Sequence, residues 1–156
     1  MLIENPLPEP KVPPDVRVEL FRELRHVTDA VGINAQAYEA LKLPAAEARV
    51  YFGRPEELLS PRVTGFVAYR GGQAASTALT IHGGRSAGVY WVGTANAAQR
   101  MGLAEICTRL ATNAGFARGA SVVTLQASPF GEPLYLRLGY RTYDRLRRYR
   151  LSAPSL

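Results

Sequence analysis

The chain has 156 residues but only one cysteine, Cys107, and two histidines. A lone thiol excludes an internal disulfide and points to a reducing, cytoplasmic setting. One cysteine and two histidines also fall short of the ligand sets of structural zinc, so no metal is expected. A Ser/His/Asp hydrolase with a nucleophile elbow is not expected either. No apolar run approaches the roughly 20 residues that span a bilayer, so no membrane partner is expected. The first residues, Met1 to Pro6, lack the basic start and apolar body of a secretory signal. Carboxylates thin out after residue 58, where Glu105, Glu132 and Asp144 are the three present.

What remains is an ordinary globular composition, 47% apolar and 21% charged, at a length that suits one domain with its own core. Net charge is +6, unevenly spread. Residues 1–58 carry ten acids and seven bases, whereas residues 59–156 carry three acids and twelve arginines. A half-chain this basic favours an anionic partner, and the planar guanidinium fork suits phosphate. A polyphosphate cofactor and a nucleic acid both fit that sign, and so does a solvated surface.

Residues 1–15 hold Pro6, Pro8, Pro10, Pro13 and Pro14, which predicts an extended arm or linker before a single domain over 16–156. Val16, Val18 and Leu20 alternate with charges and predict a strand. Leu24, Val27, Val31 and Ala35 predict a helix over 23–36. Pro44 opens a second predicted helix through Tyr51, and a helical turn is expected near 56–59. The period then changes to two. Strands are expected over 64–70, 74–82 and 88–92, with Gly71-Gly72 and Gly83-Gly84 as turns. Leu103, Ile106, Cys107, Leu110, Ala111 and Ala114 share a helix face, which makes Cys107 a core residue. A strand buried on both faces, or nearly so, is expected over 121–127. A short helix over 133–138, stopped by Gly139, and a last strand over 140–151 complete the order. The fold class is therefore α+β, a layered domain with a mixed sheet.

The most informative stretch follows the apolar run Val89-Tyr90-Trp91-Val92. There Gln99-Arg100-Met101-Gly102-Leu103-Ala104 opens the long helix. Backbone N–H groups at a helix start have no acceptor within the helix, and the helix dipole adds positive charge. Such a place suits a phosphate.

Gln99, Gly102 and Ala104, in this order of elements, resemble the pyrophosphate motif of the GNAT superfamily of acyl-CoA-dependent N-acyltransferases. Val89 to Thr94 looks like that family's fourth strand. Leu125-Gln126-Ala127-Ser128, then Leu134 to Tyr140, looks like its fifth strand and following helix. The match covers residues 62–151 and is architectural over 15–60. The resemblance implies a mostly antiparallel mixed sheet flanked by helices, with a splayed strand pair for coenzyme A. It implies acetyl-CoA as donor, an N-acetyltransferase activity on a small amine or peptide amine, and a homodimer. Val92, Gly93 and Thr94 would pair with the pantetheine amides. Gln99, Arg100, Met101, Gly102, Leu103 and Ala104 would hold the diphosphate, with small residues keeping Cβ atoms away from it. Tyr135 takes the place of the general acid, and Ser128 stands where many members have Asn. No general base is evident: Glu132, His82 and water all remain open. Glu23, His26, Tyr38 and Tyr51 are candidates for the acceptor pocket. A non-catalytic module of the same fold, binding coenzyme A or nucleic acid, is the alternative. The arginines from Arg141 to Arg150 are read as a polar strand face, which makes nucleic acid the weaker partner. Met1 to Pro14 resembles the linker of larger relatives and could pack on another protomer.

Overall fold

The computed structural model describes residues 1–39 and 54–147. The helix expected from Pro44 to Tyr51 lies outside them, as does the last part of the terminal strand. Six strands form one sheet: β1 (Leu2–Ile3), β2 (Val16–Leu20), β3 (Val63–Arg70), β4 (Gln73–Gly83), β5 (Ser86–Thr94) and β6 (Val122–Leu125). Their spatial order is β1-β6-β5-β4-β3-β2. All neighbours are antiparallel except β5 and β6, which run parallel. Gly71 and Gly72 join β3 to β4 with φ of 56° and 77°. Two successive positive φ values give the turn whose twist matches a hairpin, and glycine reaches them without steric cost. Gly84 to Gly88 spells Gly-x-Ser-x-Gly, the pattern of a hydrolase elbow. It forms the β4–β5 turn and the start of β5, not a strand-to-helix turn, so Ser86 is no elbow nucleophile.

Helices cover both faces. Helix α1 (Leu24–Glu39) buries Ala30 and Ile33 on Val67 and Tyr69, and Val27 and Val31 beside Trp91. Helix α2 (Leu103–Ala117) buries Leu103, Ile106, Cys107 and Ala111 among Ala68, Ala78, Val89 and Val123. Val67 and Ala68 are consecutive in β3, so the two helices lie on opposite faces. Helix α3 (Glu132–Arg137) is short and stops before Gly139, at φ 94°.

The buried stripe of α2 is rotated from the expected one. Leu110 and Ala114 are only half-buried, while Thr108 and Thr112 are fully buried. Each threonine hydroxyl donates to the carbonyl four residues back, Thr108 to Ala104 and Thr112 to Thr108, both at 2.7 Å. Thr112 also meets the Tyr140 hydroxyl at 2.7 Å, and Thr80 of β4 donates to the Ala111 carbonyl. A hydroxyl bonded in this way can enter a core that composition alone would reserve for hydrocarbon.

Three further expectations are corrected. Strand β6 is shorter than 121–127, and its Thr124 is exposed, so it is buried on one face only. Helix α1 packs on β3, β4 and β5 and leaves that face of β6 open. The terminal strand does not form over 142–147. Arg141 makes one bridge with Leu2, and the residues after it are exposed on both sides of their alternation. Alternation makes a strand only where one face has something apolar to cover. The proline arm, finally, packs on its own chain. Leu2–Ile3 adds an edge strand to β6, and buried Leu7 exchanges hydrogen bonds with the Asn113 amide at 2.8 and 2.9 Å.

Gly115 sets how closely α2 approaches the sheet. A Cβ there would stand 2.9 Å from Val123 Cγ2 and 3.0 Å from Ala87 Cβ. Alanine gains about 1 kcal/mol in helix propensity, and overpacking costs about 1–3 kcal/mol. Gly115→Ala is therefore expected to be neutral to about 2 kcal/mol destabilising, read as a lowered urea midpoint with unchanged slope. A clear gain in stability would show that the contact can relax.

Candidate functional site

Strand β5 has two partners that it leaves at different points. It pairs with β6 from Ser86 to Val89 only, but follows β4 to Thr94. Between Leu79↔Tyr90 and Thr77↔Gly93 the register shifts, so Trp91 and Val92 together face Ala78. This is a β-bulge, with Trp91 at φ 53°. A bulge bends its strand and raises the local twist, which turns the end of β5 away from β6. Among the described residues, no strand pairs with Val92, Gly93 and Thr94 on the β6 side. Ser76 secures the other side, donating to the Gly93 carbonyl at 2.8 Å and meeting Thr94 Oγ1 at 2.9 Å.

The chain then makes a 3₁₀ turn at Asn96–Ala98 and enters α2 through two left-handed residues, Arg100 at φ 62° and Gly102 at φ 77°. The backbone N–H groups from Arg100 to Ala104 have no main-chain acceptor among the described residues, and no side chain caps the helix. They open onto a groove of about 170 Å³ whose lining includes Thr94, Arg100, Gly102, Glu105, Leu134 and Arg137. Groove and open strand edge thus adjoin at Thr94. Gln99 donates to Asn96 Oδ1 at 3.1 Å within the turn. Met101 turns its sulfur to the Arg70 guanidinium, so its part in the groove is its amide.

Glycine serves different needs at its two positions here. A Cβ on Gly102 would meet open space, and the positive φ is the requirement. Gly93 was expected to admit a ligand backbone. Its immediate constraint is packing: a Cβ would lie 2.5 Å from Oδ1 of Asn34.

Tyr135 of α3 is buried, with its ring edge-on to Tyr140 at 6.0 Å between centroids. Ser128 accepts the Gly131 N–H at 3.2 Å, closing the turn that starts α3 and aims that ring. The Tyr135 hydroxyl has no hydrogen-bond partner among the described residues. Burial foremost, then the neighbouring Tyr38 and Tyr140, push the phenol well above its ordinary 10. Tyr38 comes from the last turn of α1 and packs on Trp91 at 5.5 Å between ring centroids. The two phenols come from different helices, α1 and α3, and Tyr38 is one of the neighbours that raise the Tyr135 pKa.

The other candidates scatter. His82 lies by the β4–β5 turn, opposite Ala87, and bonds Thr64 Oγ1 at 2.8 Å. That is the far end of β4 from Ser76 and Thr77, so His82 is not at this site. Glu132 opens α3 and pairs with Arg145 at 3.3 Å. Glu23 and His26 stand at the other end of α1 from Tyr38. There the His26 Nδ1 accepts the N–H groups of Arg22 and Glu23, and its Nε2 meets Glu19 at 2.8 Å. Tyr51 lies outside the described residues. Cys107 is a core residue whose thiol burial pushes up to about 12. Asn34 and Arg137 were not anticipated. A polar residue seven positions after Val27, on the same helix face, was the available signal for Asn34; Arg137 had none.

Alanine at Gly102 must hold a left-handed φ, at a cost of about 1–2 kcal/mol. Gly102→Ala is expected to lower stability by about that amount and to shift the amide resonances of residues 100–104 most. Shifts spread evenly over the domain would contradict a local strain.

No family model matches the chain, and no curated protein is similar to it in sequence. Solved structures do match. A GCN5-related N-acetyltransferase from Kribbella flavida aligns at a TM-score of 0.66 and 24% identity, over 90% of this chain and 52% of its own. The chain thus spans about half of that protein. A GCN5-related N-acetyltransferase from Ralstonia eutropha JMP134 aligns at 0.70 and 14% identity, over 86% and 98%. A predicted acetyltransferase from Clostridium acetobutylicum, solved with acetyl-CoA, aligns at 0.67 and 16%, over 86% and 96%. The six-stranded mixed sheet, parted between β5 and β6 and covered by helices on both faces, is the fold of the GCN5-related N-acetyltransferases, the GNAT superfamily.

Proposed function

We propose that this chain is an N-acetyltransferase that moves acetyl from acetyl-CoA to a primary amine by direct attack in a ternary complex. The observation that carries the reading is the continuity of two features. The unpaired edge of β5 runs directly into the uncapped N–H groups of α2. A pantetheine arm has amides that can pair with such an edge as a pseudo-strand, and a diphosphate suits such a helix start. Val92 and Thr94 would bind the arm, with Gly93 between them. The amides from Arg100 to Ala104 would hold the diphosphate, with Gln99 shaping the turn and Arg100 and Arg137 adding charge. Ser128 would act by fixing the loop before Tyr135. The acetyl-CoA bound in the Clostridium relative supports the same donor here.

The amine nitrogen attacks the thioester carbon, the tetrahedral adduct collapses, and the C–S bond breaks. The sulfur takes its proton from the Tyr135 hydroxyl, and the nitrogen's surplus proton returns to that oxygen through water. A phenol held above its usual range enters this step protonated throughout the neutral and mildly alkaline range. Deprotonation of Tyr135 would therefore cause no fall in turnover below about pH 10.

Release of free coenzyme A thiol, followed across a panel of amines, tests the activity. Amine-dependent thiol release is expected, and none with any amine would refute it. Tyr135→Phe is expected to lower kcat about a hundredfold while acetyl-CoA KM stays within about twofold. Because the hydroxyl has no partner among the described residues, stability should change by less than about 0.5 kcal/mol. Unchanged turnover in this variant would remove Tyr135 from the acid role.

A further inference from the structure

Asn34 stands on the buried face of α1 and is fully shielded from water. Val27, Ala30, Val31 and Ile33 fill the buried positions around it. Its Nδ2 donates to the Ala30 carbonyl at 3.0 Å and to the Trp91 carbonyl at 3.2 Å. Those two bonds fix the amide's orientation and leave Oδ1 buried with no hydrogen-bond partner among the described residues. An unpaired buried oxygen is a standing cost to folding, and a leucine here would avoid it. What the amide supplies and leucine cannot is a donor to Trp91, the residue at which β5 bulges.

We infer that Asn34 is a positioning residue for the acyl-donor site: its hold on the Trp91 carbonyl fixes the bulge, and with it the register of Val92, Gly93 and Thr94. This rests on the donor reading above. The physical reason is the period of a strand. Amides in β5 point alternately toward β4 and away from it, and a slip by one residue exchanges the two sets. Without the bulge, the N–H groups offered to the ligand would turn inward, and Thr94 would lose its place opposite Ser76. Trp91 at φ 53° is in a conformation that costs energy for a bulky residue, so the regular register is a real competitor. Gly93 belongs to the same device, since its missing Cβ is what lets Oδ1 lie against the strand.

The test is calorimetric titration of the full chain with coenzyme A, with thermal melting run beside it. Asn34→Leu is expected to weaken the coenzyme A Kd about tenfold or more while the melting temperature stays close to wild type. Gly93→Ala, which drives a methyl group onto Oδ1, should lose both stability and affinity. Adding Asn34→Ala to Gly93→Ala removes the clash, so stability should recover and affinity should not. A wild-type Kd in Asn34→Leu, or affinity that returns with stability in the double variant, would overturn the positioning role. A wild-type chain that fails to bind coenzyme A would overturn the donor reading itself.

Discussion

Strand β5 is held by β4 along its length but by β6 for only four residues, and the rest of the molecule is arranged around that mismatch. Because β5 and β6 are parallel, the chain must cross over the sheet between them, and α2 is the crossover. A crossover helix begins beside the end of the strand it follows. The N-terminus of α2 is thus set down at the end of β5, where that strand has parted from β6. Exposed strand amides and exposed helix amides become neighbours as a consequence of topology. In open sheets with parallel strands, this crevice past the carboxyl ends of the strands is where ligands bind.

Much of this was legible from residue pattern. The Gly-Gly hairpin, the change of period after residue 63 and the apolar repeat that opens at Leu103 are local signals, and the elements they predict formed within a residue or three. Gln99 to Ala104 was legible because a turn into a helix needs few residues and they are adjacent. Three things were not legible, each for a physical reason. Thr108 and Thr112 look polar, yet their hydroxyls are satisfied by their own helix, so the buried stripe rotated toward them. The arginine-rich alternation after Tyr140 had the period of a strand but no apolar face to bury. Asn34 acts across 57 positions of sequence on a carbonyl of β5, and no local pattern reports a partner that distant. Gly93 shows the same limit from the other side. Its glycine was visible, but what its missing Cβ makes room for is Asn34.

The charge asymmetry of the sequence also changes meaning in three dimensions. Several arginines of the basic half are matched, some by acids of the first half. Arg70 pairs with Asp15 at 2.6 Å and Arg141 with Glu4 at 2.8 Å. Glu105 lines the groove from the first turn of α2, and Glu132 stands in the first turn of α3. Each is drawn to an arginine: Glu105 to Arg109 at 2.8 Å and Glu132 to Arg145 at 3.3 Å. The groove is also lined by Arg100, Arg137 and α2 amides that have no main-chain acceptor among the described residues, and burial raises the pKa of the Tyr38 and Tyr135 phenols. A neutral phenol above its usual pKa keeps its proton and can donate it in a hydrogen bond to an anion forming beside it. Every one of these groups lowers the energy of an anion more than that of a neutral molecule. A diphosphate at one end and a thiolate forming at the other would be favoured by the same sign of potential. On the proposed reading, the positive groups of the cleft suit the anionic ends of an acyl-CoA, while arginines such as Arg70 and Arg141 tie the chain to itself.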